Sequence, residues 1–99
     1  MGYANKLADI LTKEFGDKRS YCIRNADDKV ITGNTDNSYC IEPRKKGGWR
    51  VFIQEPGRGN VYEDYHLDTE REACVKFIEM TKDEYHLSKY LSEFEKETE

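Results

Sequence analysis

The spacing of apolar residues changes period along this chain, and each change marks an element. Tyr3, Leu7, Ile10, Leu11 and Phe15 recur at three- and four-residue intervals, with Ala4 and Ala8 beside them. That is the stripe of a helix with one buried face. Gly16 comes next, where helices commonly end, so the pattern predicts a helix over Tyr3–Phe15. The period then drops to two. Tyr21 and Ile23 alternate with Cys22 and Arg24 in residues 20–25, and Val30-Ile31-Thr32 is a short β-branched run. Residues 38–42 form a third strand that Pro43 closes, because proline cannot donate to a ladder. Residues 26–29 read as a turn in which Asp side chains bond the local backbone, and residues 33–37 as a loop.

The stretch after the basic turn Arg44-Lys45-Lys46-Gly47-Gly48 has the clearest alternation. Trp49, Val51 and Ile53 take one face of a strand Trp49–Gln54, and Arg50, Phe52 and Gln54 take the other. Residues 60–67 continue with Val61, Glu63, Tyr65 and Leu67 on one parity. Pro56-Gly57 between the two supplies the fixed and the positive φ of a type II turn. This hairpin carries the only tryptophan and is expected at the centre of the sheet.

Beyond Leu67 the helical period returns. Thr69 with Glu72 three residues later is a capping box, and Ala73, Phe77 and Met80, flanked by Cys74 and Ile78, make an apolar stripe. Thr81-Lys82-Asp83-Glu84 repeats the box, which predicts a bend or break, and Leu87, Tyr90, Leu91 and Phe94 form a second stripe before the acidic residues 93–99. The expected architecture is α+β. A four- to five-stranded antiparallel meander carries the N-terminal helix and one or two C-terminal helices on one face, in a single domain of residues 1–99.

Composition adjusts this picture in one respect. Charged residues make up 36% of the 99 and aromatics 12%, so the chain is folded but highly charged. The net charge of −4 is unevenly spread. Residues 1–62 hold 11 Lys/Arg against 8 Asp/Glu, whereas residues 63–99 hold 5 against 12. An acidic second part offers a surface to a basic partner. No long apolar run suggests a signal peptide or membrane span, so a cytoplasmic setting is expected.

Candidate chemistry is sparse. Cys22, Cys40 and Cys74 are too far apart for a disulfide framework or a zinc site, and buried inert thiols are the expectation. His66 and His86 have no second ligand or base at helical or strand spacing. Glu63 and Asp64 are adjacent in a strand and point to opposite faces, so they cannot face each other as an acid/base pair. No enzyme, cofactor or metal is expected. Two binding readings remain. Arg44, Lys45, Lys46, Arg50 and Arg58 lie among Trp49, Phe52 and Tyr62, as in a small nucleic-acid-binding module using the basic hairpin of residues 44–58. The net negative charge opposes that. The other is a protein-binding strip of Tyr62, Glu63, Asp64, Tyr65, Asp68 and Glu70, where tyrosines supply rigid contact area among acids.

The Tyr21-Cys22-Ile23 strand, the Trp49 strand and the capped helix from Asp68 through Ala73-Cys74 to Ile78 together resemble a small α+β immunity protein of bacterial polymorphic-toxin systems, similar to immunity protein 59. The likeness spans most of residues 1–82 and rests on structural patterns. It implies a cytoplasmic bacterial protein that neutralises a cognate toxin domain, often a nuclease, as in contact-dependent inhibition. It carries over no catalytic residues.

Overall fold

The computed structural model describes residues 2–16, 21–33, 39–54 and 61–95, the last without the Glu95 side chain. The expected turn at Pro56-Gly57, Arg58, residues 34–37 of the expected 33–37 loop and residue 38 at the start of the expected third strand lie outside the described residues, as does the end of the acidic tail. Helix α1 spans Tyr3–Phe15 as its stripe predicts, and it buries Ala4, Leu7, Ala8 and Leu11. Gly16 ends it at φ +61°, donating to the Thr12 carbonyl. Strands β1 Tyr21–Arg24, β2 Val30–Gly33, β3 Tyr39–Pro43, β4 Trp49–Gln54 and β5 Val61–Leu67 come after it. The turn before β2 is organised by Asn25 rather than by the aspartates. Its Oδ1 accepts from the backbone N–H of Asp27 and of Lys29.

The sheet is mixed, not the antiparallel meander expected. Its order is β2-β1-β3-β4-β5, and β1 runs parallel to β3, with Cys22 opposite Cys40 and Ile23 opposite Ile41. Burial explains the order. Tyr21, Cys22 and Ile23 of β1 are all buried, so both faces of that strand need cover and both edges need neighbours. Strand β2 is only partly buried and takes the edge. The Trp49 hairpin is therefore not central. Strand β3 holds the middle, and β5 is the opposite edge.

A bulge corrects the parity of β5. Ile53 pairs with Glu63 but Gln54 pairs with Val61, which leaves Tyr62 as the extra residue. Val61 thus lies with Gln54 on the opposite face from Glu63, Tyr65 and Leu67.

All helices pack on one face. Helix α2, Glu70–Met80, starts with the full capping box: Thr69 Oγ1 accepts from the Glu72 N–H at 3.1 Å, and the Glu72 carboxylate accepts from the Thr69 N–H at 3.2 Å. The second box does not form. Thr81 is buried and donates its hydroxyl back to the Phe77 carbonyl at 2.8 Å, so it cannot cap the next helix. The remainder is more segmented than one or two helices: α3 Lys82–Tyr85, a 3-10 turn Ser88–Tyr90 and α4 Leu91–Glu95. His86, at φ +57°, closes α3 in the left-handed conformation. Between helices and sheet lies one core in which Phe77, Ile78, Tyr85, Leu87 and Phe94 meet Tyr21, Ile23, Ile41, Trp49 and Val51. No helix among the described residues is long and apolar enough to cross a membrane.

Candidate functional site

Strand alternation with helices on one side only leaves a bare sheet face. The residues pointing there are Cys22 and Arg24 from β1, Cys40 and Glu42 from β3, Arg50, Phe52 and Gln54 from β4, and Asp64 and His66 from β5. Its floor is a small buried cluster of Cys22, Cys40 and Phe52. Its rim is charged, and the charges are matched. Arg50 holds Asp64 through two parallel bonds, Nε to Oδ1 at 2.8 Å and Nη2 to Oδ2 at 3.0 Å, and reaches Glu42 at 3.4 Å. Its guanidinium lies 4.0 Å from the Phe52 ring centre. The bonds from Arg50 hold the Asp64 carboxyl below the usual carboxylate value, and in return Asp64 raises Arg50. His66 Nε2 approaches Asp64 at 3.3 Å, and Arg24 reaches Asp28 at 3.4 Å. Around them opens a concavity of about 470 Å³ that Arg44 and Lys45 also line.

The six residues expected as a binding strip are not brought together. Tyr62, pushed out by the bulge, is 65% exposed at the sheet edge. Glu63 and Tyr65 lie on the helix side of β5, where the Tyr65 hydroxyl donates to Glu63 and Lys76 sits 4.0 Å from the Tyr65 ring centre. Asp64 is on the bare face, committed to Arg50. Asp68 is exposed beyond the strand end. Glu70 is occupied internally. Its carboxylate accepts from the Ala4 N–H at 2.6 Å and caps α1, whose own N-cap, Gly2, has no side chain to offer. Tyr62, Glu63 and Asp68 are the members of the six that are exposed along β5 without being drawn into the bare-face cluster or the α1 cap, Glu63 accepting from Tyr65 and Asp68 standing at the far end of the strand.

The basic hairpin also changes character. Trp49 is buried in the core and Phe52 lies under Arg50, so neither presents a ring for base stacking. No group of three or more His, Cys, Asp or Glu among the described residues is placed to hold a metal ion. What sequence reasoning missed is the bare face itself. Its members are scattered through four strands, and only the parallel pairing of β1 and β3 collects them. Comparison of the chain with known protein families, with curated proteins and with solved structures finds no match.

Proposed function

We propose that this chain is an immunity protein, which binds and neutralises a cognate bacterial toxin domain by protein–protein contact rather than by catalysis, and that the toxin is a basic nuclease. The observation that carries the reading is the β5 edge. An exposed tyrosine at a bulge, next to Glu63, stands on the outermost strand of the sheet beside a charged bare face, with Asp68 exposed past the far end of the same strand. Rigid aromatic area on an edge strand that also carries exposed acids suits a basic protein surface, with the charge steering encounter and the ring supplying contact.

An immunity role requires a toxin gene directly upstream, and the test is titration against the domain that such a gene encodes, with co-expression rescue as the cellular readout. Glu63→Lys and Asp68→Lys each weaken binding through a slower, salt-sensitive association, and Tyr62→Ala costs about 1–2 kcal/mol through faster dissociation. Glu70→Lys acts through stability, because it strips the cap from α1. Failure of the wild-type chain to rescue cells from that toxin removes the proposal. If the basic hairpin of residues 44–58 binds nucleic acid instead, a gel shift at low salt retards RNA or DNA.

A further inference from the structure

Cys22 and Cys40 are 18 residues apart in sequence yet directly opposite in the parallel pair β1–β3. Residues opposite each other on neighbouring strands point the same way, so both thiols stand on the bare face. Strands in a sheet lie about 4.8 Å apart, inside the roughly 4.4–6.8 Å of Cα separation that a disulfide spans. Both residues are thiols. A cavity of about 210 Å³ opens over them from the bare face, lined also by Arg24, Glu42, Phe52 and Gln54.

We propose that Cys22 and Cys40 form a redox-active dithiol that a small hydroperoxide oxidises to a disulfide across β1 and β3. The two thiols differ in role. Cys40 donates a hydrogen bond to the Cys22 sulfur, which draws Cys22 below the ordinary thiol value, and the nearby Arg24 charge acts in the same direction. That bond and burial push Cys40 upward. Arg24, two residues along β1 on the same face, lines the cavity beside Cys22 and favours its thiolate, so Cys22 is the attacking sulfur. As a thiolate it attacks one peroxide oxygen, the O–O bond breaks, and the leaving hydroxide takes a proton to become water (or an alcohol from an organic hydroperoxide). Cys22 is then a sulfenic acid. Cys40 gives up its proton and attacks the sulfenic sulfur. The S–O bond breaks, and the expelled oxygen takes that proton to leave as water. In sum two thiols lose two electrons and two protons, and the peroxide is reduced. The cavity is large enough for a small oxidant to reach the thiols, since one water takes about 30 Å³.

Cys74 is the internal control. It is fully buried behind the helix layer, and desolvation raises its thiol well above the ordinary value. The dithiol chemistry does not depend on partner binding at the β5 edge.

The experiment exposes the folded full chain to hydrogen peroxide at neutral pH, alkylates the remaining thiols, and reads intact mass and peptide map. The expected result is loss of two hydrogens, with one bridge joining Cys22 to Cys40 that dithiothreitol reverses, and the same result in Cys74→Ala. Cys40→Ser lacks the resolving thiol and accumulates a Cys22 sulfenic acid that dimedone traps. Cys22→Ser reacts at least about tenfold more slowly. Oxidation that reaches Cys74 first, that links two chains, or that bridges the pair only after urea unfolding overturns the proposal. Should either serine variant fail to fold by circular dichroism, the maps of the wild type and Cys74→Ala decide alone.

Discussion

At the scale of single residues, several positions act through what they approach rather than through their own chemistry. Gly33 is the sharpest. It ends β2 at φ +80°, and a Cβ built there would fall 1.7 Å from the Tyr21 carbonyl oxygen, a backbone atom that cannot step aside. Gly33→Ala therefore combines an unfavourable conformation with a clash against the neighbouring strand, and is expected to cost about 2–4 kcal/mol. Urea denaturation checks it, and a loss no larger than that of an ordinary surface substitution would show that β2 can shift away. In the sequence Gly33 reads only as the start of a loop, because close approach between strands has no signature in local pattern. Asn25 and Glu70 make the same point. An asparagine in a charged turn reads as one turn residue among others, and nothing near Glu70 says that its partner is the Ala4 N–H, 66 positions away.

At the scale of elements, what was legible depended on whether the cause was local. Helix α1 and strand β4 have their expected bounds, since stripe, alternation and terminal glycine are all contained in the segment. The capping box of α2 was legible for the same reason. The false box at Thr81 shows the limit: the spacing is identical, but burial turns that hydroxyl inward to a carbonyl of its own helix. Strand order was not legible, because a hairpin pattern does not say which neighbour a later strand will choose. The most buried strand took two neighbours, and that decided the sheet. The two boxes give a paired prediction. Thr69→Ala removes a formed cap and should cost about 1 kcal/mol, within the roughly 0.5–2 kcal/mol seen for such caps. Glu84→Ala, at the corresponding position of the unformed box, should leave the capping of α3 unchanged. Helical content distinguishes the two variants, whereas the urea midpoint of Glu84→Ala also reports loss of the bond that Glu84 accepts from the Tyr39 hydroxyl. A larger loss of helix in Glu84→Ala than in Thr69→Ala would contradict the assignment.

At the scale of the whole molecule, helices on one face confine the polar residues of the inner strands to the other, and the charge asymmetry of the sequence takes a different form. The described acids of this second part, residues 63–94, do not make one surface. Asp64 belongs to a matched cluster with Arg50, Glu42 and His66, while Glu63 and Asp68 stand along the β5 edge. The matched cluster should be visible in the acid limb of stability. Asp64 has its carboxyl below the ordinary value of 3.8, first through the bonds from Arg50. A carboxylate depressed in the folded state contributes stability that is fully present above its unfolded value and is lost as pH falls through the folded one. Protonation below about pH 4 should thus loosen the link between β4 and β5 and steepen the loss of stability there. Asp64 is 37% exposed, so water and salt screen the pair and the contribution belongs with surface bridges, below ~1 kcal/mol. Asp64→Asn keeps the side-chain shape but not the charge. Its urea midpoint should lie below that of the wild type at neutral pH and converge on it at low pH, with the gap narrowing in high salt. Midpoints that run parallel across the acid range would show that Arg50 holds the bare face together by stacking on Phe52 rather than by its charge.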